Sequence, residues 1–235
     1  MNSFADRKYW TVRSVIDPTT GDHRNYYYFK RAAARRIPIT SRVAKQLAGY
    51  VLIERDLRMV ATWLTMLERI SPPVQGKQRH VWSTTDKDDD SHAQTLALFV
   101  AALSFYGKCF TQCEGRGVKL ERGWIPTGFE DTHDLVLQMR HNFAAHSGAD
   151  KFEDVHVVLV LAEKKGRLRD QALLVREMKQ MESMISSTSD DFSFHALATA
   201  LHAKVLAKLD ELNAKIFRED INPKLPGWLA HEPHK

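Results

Sequence analysis

The sequence predicts an α-rich α+β protein, a four-helix bundle carrying two small β-hairpins. Two observations lead there. Four stretches of helical length repeat their apolar residues every three or four positions, the period of one helix face. Two pairs of strand-like runs, the first β-branched and aromatic and the second apolar, also flank turn-forming residues, as hairpin strands do. No internal repeat is present, and no linker is long enough to demand two independent domains. At 235 residues, 43% hydrophobic and 27% charged, the chain can bury an adequate core and is ordinary for a globular protein.

The first hairpin is read from KYWTVRSV and NYYYFKR, which stand on either side of IDPTTGDHR, a Pro-Thr-Thr-Gly-Asp turn. After Pro38, Thr40 or Ser41 can cap a helix, and Val43, Leu47, Tyr50, Leu57, Ala61 and Leu64 recur along it until SPP follows Ile70. A polar loop with room for a short strand comes next. The acidic run Asp88 to Asp90 then suits the N-terminus of a second helix, from about Ser91 to Gln112. Its segment TLALFVAALSFYGKCF is apolar nearly all round, which predicts a central position. The loop EGRGVKLERGWIPTG leads to a third helix, from about Phe129 to Ser147, with Gly148 placed as an αL cap. VHVVLVLA and QALLVREM around KKGRLRD form the second hairpin. A final helix repeats Phe194, Leu197, Leu201, Val205, Leu209, Leu212 and Ile216 and stops at Asn222-Pro223. The expected organisation is a basic hairpin extension over 1–38, a bundle over 39–222 with a hairpin inserted at about 154–177, and a tail over 223–235.

The longest apolar stretch, Leu96 to Tyr106, is interrupted by Ser104 and falls short of the ~20 residues a membrane span needs. The start, MNSFADRKYWTVRS, lacks the apolar run of a secretory signal. A cytoplasmic location without membrane association is therefore expected, with Cys109 and Cys113 reduced and packed rather than bridged or metal-bound. The net charge of +5 is unevenly spread, because residues 1–45 hold ten Lys or Arg against three Asp. Such a patch either attracts phosphate backbones or is a solvated surface.

The third helix carries the most specific chemistry. Leu135, Val136, Met139 and Phe143 form its apolar stripe, with Arg140 at one edge and His146 at the other, about 120° apart and about 9 Å along the axis. His146 falls in the last turn, where the helix dipole favours imidazolium, and Arg140 supplies a forked charge that suits phosphate oxygens. These two groups are enough to cleave RNA without a metal, because the ribose 2′-OH is itself the nucleophile. On spacing alone, an Arg and a His six apart on a helix are more often a surface arginine and a cap histidine.

The segment LVLQMRHNFAAHSGAD resembles the signature of the HEPN superfamily. In that signature an Arg, a polar residue directly after it and a His four to six positions later sit near the end of a bundle helix, often with Ala-His-Ser around the histidine. Here those places are held by Arg140, His141 and His146, with Ala145 and Ser147 beside the histidine. His141 stands where Asn or Asp is commoner. The likeness is strongest over about Leu96 to Val160 and does not cover the first 35 residues. A branch of the family controlled at His-x-Tyr is not matched, since Gly148 stands at that tyrosine's place.

The resemblance implies a HEPN-like bundle and a metal-independent endoribonuclease of a toxin or phage-defence type, leaving 2′,3′-cyclic phosphate and 5′-OH ends. It implies no cofactor, a homodimer with the motif helix near the two-fold axis, and an antitoxin or defence-system partner. Arg140 and His146 would be catalytic, with Asn142 orienting phosphate or imidazole and His141 beside them. The family also contains non-catalytic modules that bind RNA, a nucleotide or a protein, and that is the alternative. Lys108, Arg116, Lys119 and Arg122, in or near the loop before the motif helix, are candidates for a phosphate-tracking rim. Other constellations are weaker. Glu130 and His133 make a single ExxH where di-iron bundles use two, and GRG is not a nucleotide-binding fingerprint. His23, His80, His92, His195 and His202 each stand alone.

Overall fold

The computed structural model describes residues 7–70, 90–141, 154–161, 172–179 and 193–230. In chain order these hold β1 (Trp10–Ile16), β2 (His23–Phe29), β3 (Ala32–Ala33), α1 (Arg42–Ile70), α2 (Asp90–Phe110), α3 (Glu130–Met139), β4 (Asp154–Leu161), β5 (Ala172–Lys179), α4 (Phe194–Ile216) and α5 (Leu225–Ala230). Helices dominate and the strands form two small antiparallel sheets, an α+β protein as expected. The loop at 71–89, the turn of the second hairpin, and the chain from Asn142 through Phe143, His146 and Gly148 lie outside the described residues.

The chain divides into two compact units, one made of Met1–Ala48 with Ala207–Lys235 and the other of Gly49–Leu206. In the first, β1 and β2 pair antiparallel from Trp10↔Phe29 to Ile16↔His23, and β3 adds Tyr28↔Ala33 and Phe29↔Ala32. Their turn is set by Asp17, whose carboxylate accepts the amides of Thr19 (2.8 Å) and Thr20 (3.2 Å), with Gly21 at φ 72°. The pleat puts Trp10, Val12, Tyr27 and Phe29 on one face and Arg13, Arg24, Tyr26 and Tyr28 on the other. β1 is exposed along its whole length. Ser41 caps α1 as the sequence suggested, its hydroxyl accepting the Ala44 amide at 3.1 Å and donating to Asp220. After Ile216 the backbone widens into a π-helix over Phe217–Ile221, and Arg35 donates to the Trp228 carbonyl of α5. The expected tail therefore includes a short helix.

The second unit holds the larger core. Ile53, Leu57, Val60, Leu64 and Leu67 of α1 are buried with Phe99, Ala102, Leu103, Tyr106 and Cys109 of α2, Val136 and Met139 of α3, and Leu197, Leu201 and Val205 of α4. The stripe predicted for α1 is shifted, since Val43, Leu47, Tyr50 and Ala61 are only half-buried while Ile53, Asp56 and Val60 are inside. From Leu98 to Phe110 no residue of α2 is fully exposed, in line with its apolar circumference. By length and composition its window Ala93–Phe110, of mean hydropathy 1.3, could cross a membrane, a property that core helices share. Gly49 lets the loop after α2 lie against α1, because a Cβ there would stand 2.4 Å from both the Arg116 carbonyl oxygen and the Val118 side chain. β4 and β5 pair from Asp154↔Lys179 to Leu161↔Ala172, with Val157, Leu159, Leu161 and Leu174 exposed.

Candidate functional site

The sequence EDTHDLVLQM makes α3 amphipathic. Glu130 and Asp131 occupy its first turn, where negative charge suits the dipole, and His133, Val136 and Met139 form the buried face, with α3 packed on α2. Arg140 follows as the C-cap in helical conformation (φ −56°, ψ −43°), its amide donating to the carbonyls of Leu137 and Val136. Its side chain passes over Gly107 of α2, where a Cβ would lie 3.1 Å from Arg140 Cγ and Cδ and 3.2 Å from Nε. Glycine inside a helix costs about 1 kcal/mol relative to alanine, and the close passage of Arg140 accounts for its presence. Arg140 is half-buried and, among the described residues, its guanidinium makes no hydrogen bond or ion pair. His141 is exposed. Asn142 and His146 lie outside the described residues.

Beside Gly107, one buried carboxylate gathers three cations. Asp56 of α1 accepts from Arg55 Nε (3.1 Å) and Nη2 (2.8 Å) on one oxygen and from Arg116 on the other, with Lys108 Nζ 3.6 Å from the second oxygen. Burial would raise the Asp56 carboxyl, but the hydrogen bonds from Arg55 and Arg116 and the charges of Arg116 and Lys108 outweigh it and hold its pKa below the usual value. Arg116 also donates to the Lys108 carbonyl (3.3 Å), a last-turn carbonyl of α2 that accepts the Thr111 amide as well (3.4 Å). The adjacent Cys109 thiol, bonded to the Phe105 carbonyl, is pushed up to about 12 by burial and then by the Asp56 charge.

The four loop cations do not form the rim expected of them. Arg116 is 5% exposed and turned inward on Asp56, which leaves it no surface for a phosphate. Arg122 is fixed by a two-pronged pair with Asp134 of α3 (2.5 and 2.9 Å), and Lys119 stands 3.6 Å from Glu121. Lys108 is half-exposed at the edge of the Asp56 cluster. The physical reason is that the loop 111–129 packs as a tie between α1, α2 and α3, so Arg116 and Arg122 meet carboxylates of α1 and α3.

His133 is a core residue. Burial lowers its pKa, with Asp134 and Arg122 acting in opposite directions, and its Nδ1 lies 2.7 Å from the buried Tyr106 hydroxyl. Glu130 turns elsewhere, its carboxylate accepting the Gly128 amide at 2.7 Å. Among the described residues no group of three or more His, Cys, Asp or Glu could hold a metal ion. Two further pairs escaped the sequence reading: His195 Nδ1 on Glu68 (2.8 Å) and His202 Nε2 on Glu54 (2.9 Å), each joining α4 to α1. No protein-family model, curated protein or solved structure matches the chain.

Proposed function

We propose that the chain is a metal-independent endoribonuclease built on a HEPN-like four-helix bundle, acting in a toxin or phage-defence setting. The observation that carries the reading is Arg140: a guanidinium without a partner among the described residues, laid over Gly107 at the end of α3, where the Arg-His-x4-His sequence begins. Its neighbours add to the case. Arg55, Lys108 and Arg116 share the single carboxylate of Asp56, so this end of α2 carries uncompensated positive charge, and Arg55 and Lys108 are half-exposed to display it.

In the proposed reaction His146 takes the proton of a ribose 2′-OH, whose oxygen attacks the adjacent phosphorus. Arg140 donates to the equatorial oxygens as negative charge builds there. The 5′-oxygen leaves with a proton from a second acid, giving a 2′,3′-cyclic phosphate and a 5′-OH. A two-fold dimer with the motif helices at its axis would supply base and acid from two copies of His146, and an antitoxin would restrain the enzyme in the cell. Single-turnover cleavage of a fluorescent RNA by the wild type, Arg140→Ala and His146→Ala tests this. Full activity in a folded His146→Ala protein removes the mechanism, and RNA binding without cleavage in every form favours a non-catalytic HEPN module.

A further inference from the structure

The three-stranded sheet carries a groove that the cleavage chemistry does not use. β3 pairs with β2 only at Tyr28 and Phe29, so among the described residues no strand pairs with His23–Tyr26 along that edge. The chain then runs on through Ala33, Ala34 and Arg36, and the resulting cleft of 430 Å³ has His23, Arg24, Tyr26, Tyr28 and Arg36 in its lining. That volume falls among those of ligand-sized clefts.

Two kinds of group meet in this groove. Tyr26 is 49% exposed and Tyr28 is half-buried on the same face, giving flat π-surfaces open to solvent. Arg13 stands opposite Tyr26 in the ladder, and Arg13, Arg24 and Arg36 are all exposed without a hydrogen bond or ion pair among the described residues. The hairpin's carboxylates, Asp17 and Asp22, flank the turn beyond the strands, and Asp17 is already engaged by the Thr19 and Thr20 amides. Among the described residues the groove thus presents cations without counterions beside an exposed and a half-buried tyrosine ring. A single-stranded nucleic acid alternates phosphates with unstacked bases and meets both. A duplex hides the base faces, and an acidic peptide has no use for the rings.

We infer that this groove docks single-stranded RNA, with bases stacked on Tyr26 and Tyr28 and phosphates held by Arg24 and Arg36, while Arg13 on the neighbouring strand adds positive charge beside it. The preference for RNA over DNA rests on the ribonuclease reading, whereas the recognition of a single strand rests on the groove itself. The test is fluorescence anisotropy of a labelled RNA of about twelve nucleotides, near the site sizes of such surfaces, titrated with the full chain. The RNA carries 2′-O-methyl groups throughout, which leave no free 2′-OH to attack, so that it cannot be cleaved. Tyr26→Ala should weaken binding by about 5- to 100-fold and Tyr26→Phe should restore it. Arg24→Gln and Arg36→Gln should each lower the slope of log affinity against log salt by about 0.7. A duplex RNA of equal length should bind more weakly and should not respond to Tyr26→Ala. Unchanged affinity in Tyr26→Ala, or equal competition by heparin and the single strand, would overturn the inference in favour of a general polyanion surface. No binding by the wild type would overturn it outright. Loss of cleavage in Arg140→Ala with binding intact leaves the groove standing, and cleavage that survives Tyr26→Ala with unaltered binding leaves the ribonuclease reading standing alone, so the two can fail separately.

Discussion

Removal of Asp56 gives the sharpest test of how this core is held. Its carboxylate is fully buried and faces Arg116, whose side chain is 3% exposed, so Asp56→Ala strands a buried guanidinium. Breaking one side of a buried ion pair costs about 3–5 kcal/mol, because the remaining charge keeps its desolvation penalty and loses its partner. For a chain of this size that lowers the melting midpoint by about 6–20 °C, at about 2–4 °C per kcal/mol. Replacing both members, Asp56→Leu with Arg116→Met, removes the charges together and should bring stability back to within about 1 kcal/mol of the wild type. The pH dependence adds a signature. The folded carboxyl titrates below its unfolded value, so its contribution is full above about pH 4 and is lost as pH falls through the folded pKa. Asp56→Ala should lack that acid-side loss. Urea unfolding followed by circular dichroism, repeated across pH, measures both effects. A cost below about 1 kcal/mol for Asp56→Ala, or a double variant no better than the single, would refute this account of Arg116 and reopen its assignment as a phosphate ligand.

Arg140→Ala and His146→Ala should each lower single-turnover RNA cleavage by at least ~10²-fold with little change in binding, since both groups act on the transition state. Cleavage should persist in EDTA, and complete loss on chelation with recovery on adding a divalent ion would refute the metal-free scheme. Gly107→Val should displace Arg140 from its seat and reduce cleavage while circular dichroism stays native; unchanged turnover would detach Arg140 from the chemistry. Light scattering should find a dimer, and a strict monomer at tens of micromolar would undo the composite site. His133 titrates below its unfolded value, so its share of stability is full above about pH 6.5 and falls away as pH drops through the folded pKa. A Tyr106→Phe/His133→Leu double variant should flatten that loss in urea titrations near pH 6.

Elements whose signal is local were legible in the sequence. The first hairpin was marked by β-branched and aromatic runs around a Pro-Thr-Thr-Gly-Asp turn, the second by apolar runs around KKGRLRD, and α4 by a three-to-four repeat of which Leu197, Leu201, Val205, Leu212 and Ile216 are buried. The buried register of α1 was hidden because Asp56, a polar residue three positions after Ile53, interrupts its apolar stripe. Its partner lies sixty residues on, and no local pattern announces such a pairing. One sign was available, since an Asp flanked by Ile53, Leu57 and Val60 at helical spacing asks for a buried cation. The same blindness misassigned Arg116, whose loop reads as solvent-facing until its carboxylate is found. His195 and His202 looked solitary for the same reason. Of the motif, Arg140 and His141 lie among the described residues, and Asn142 and His146 lie outside them.

The thiols offer a clock for these events. Cys109 is buried beside the Asp56 cluster with its pKa raised to about 12, so almost none of it is thiolate near neutrality, and the closed core also bars reagents. Cys113, four residues on, is only half-buried. A pulse of alkylating agent should therefore modify Cys113 at once and Cys109 only when the helices around Asp56 part. Mass spectrometry can resolve the two sites in one tryptic digest, so the ratio of their labels reports the opening rate of the core without any added probe.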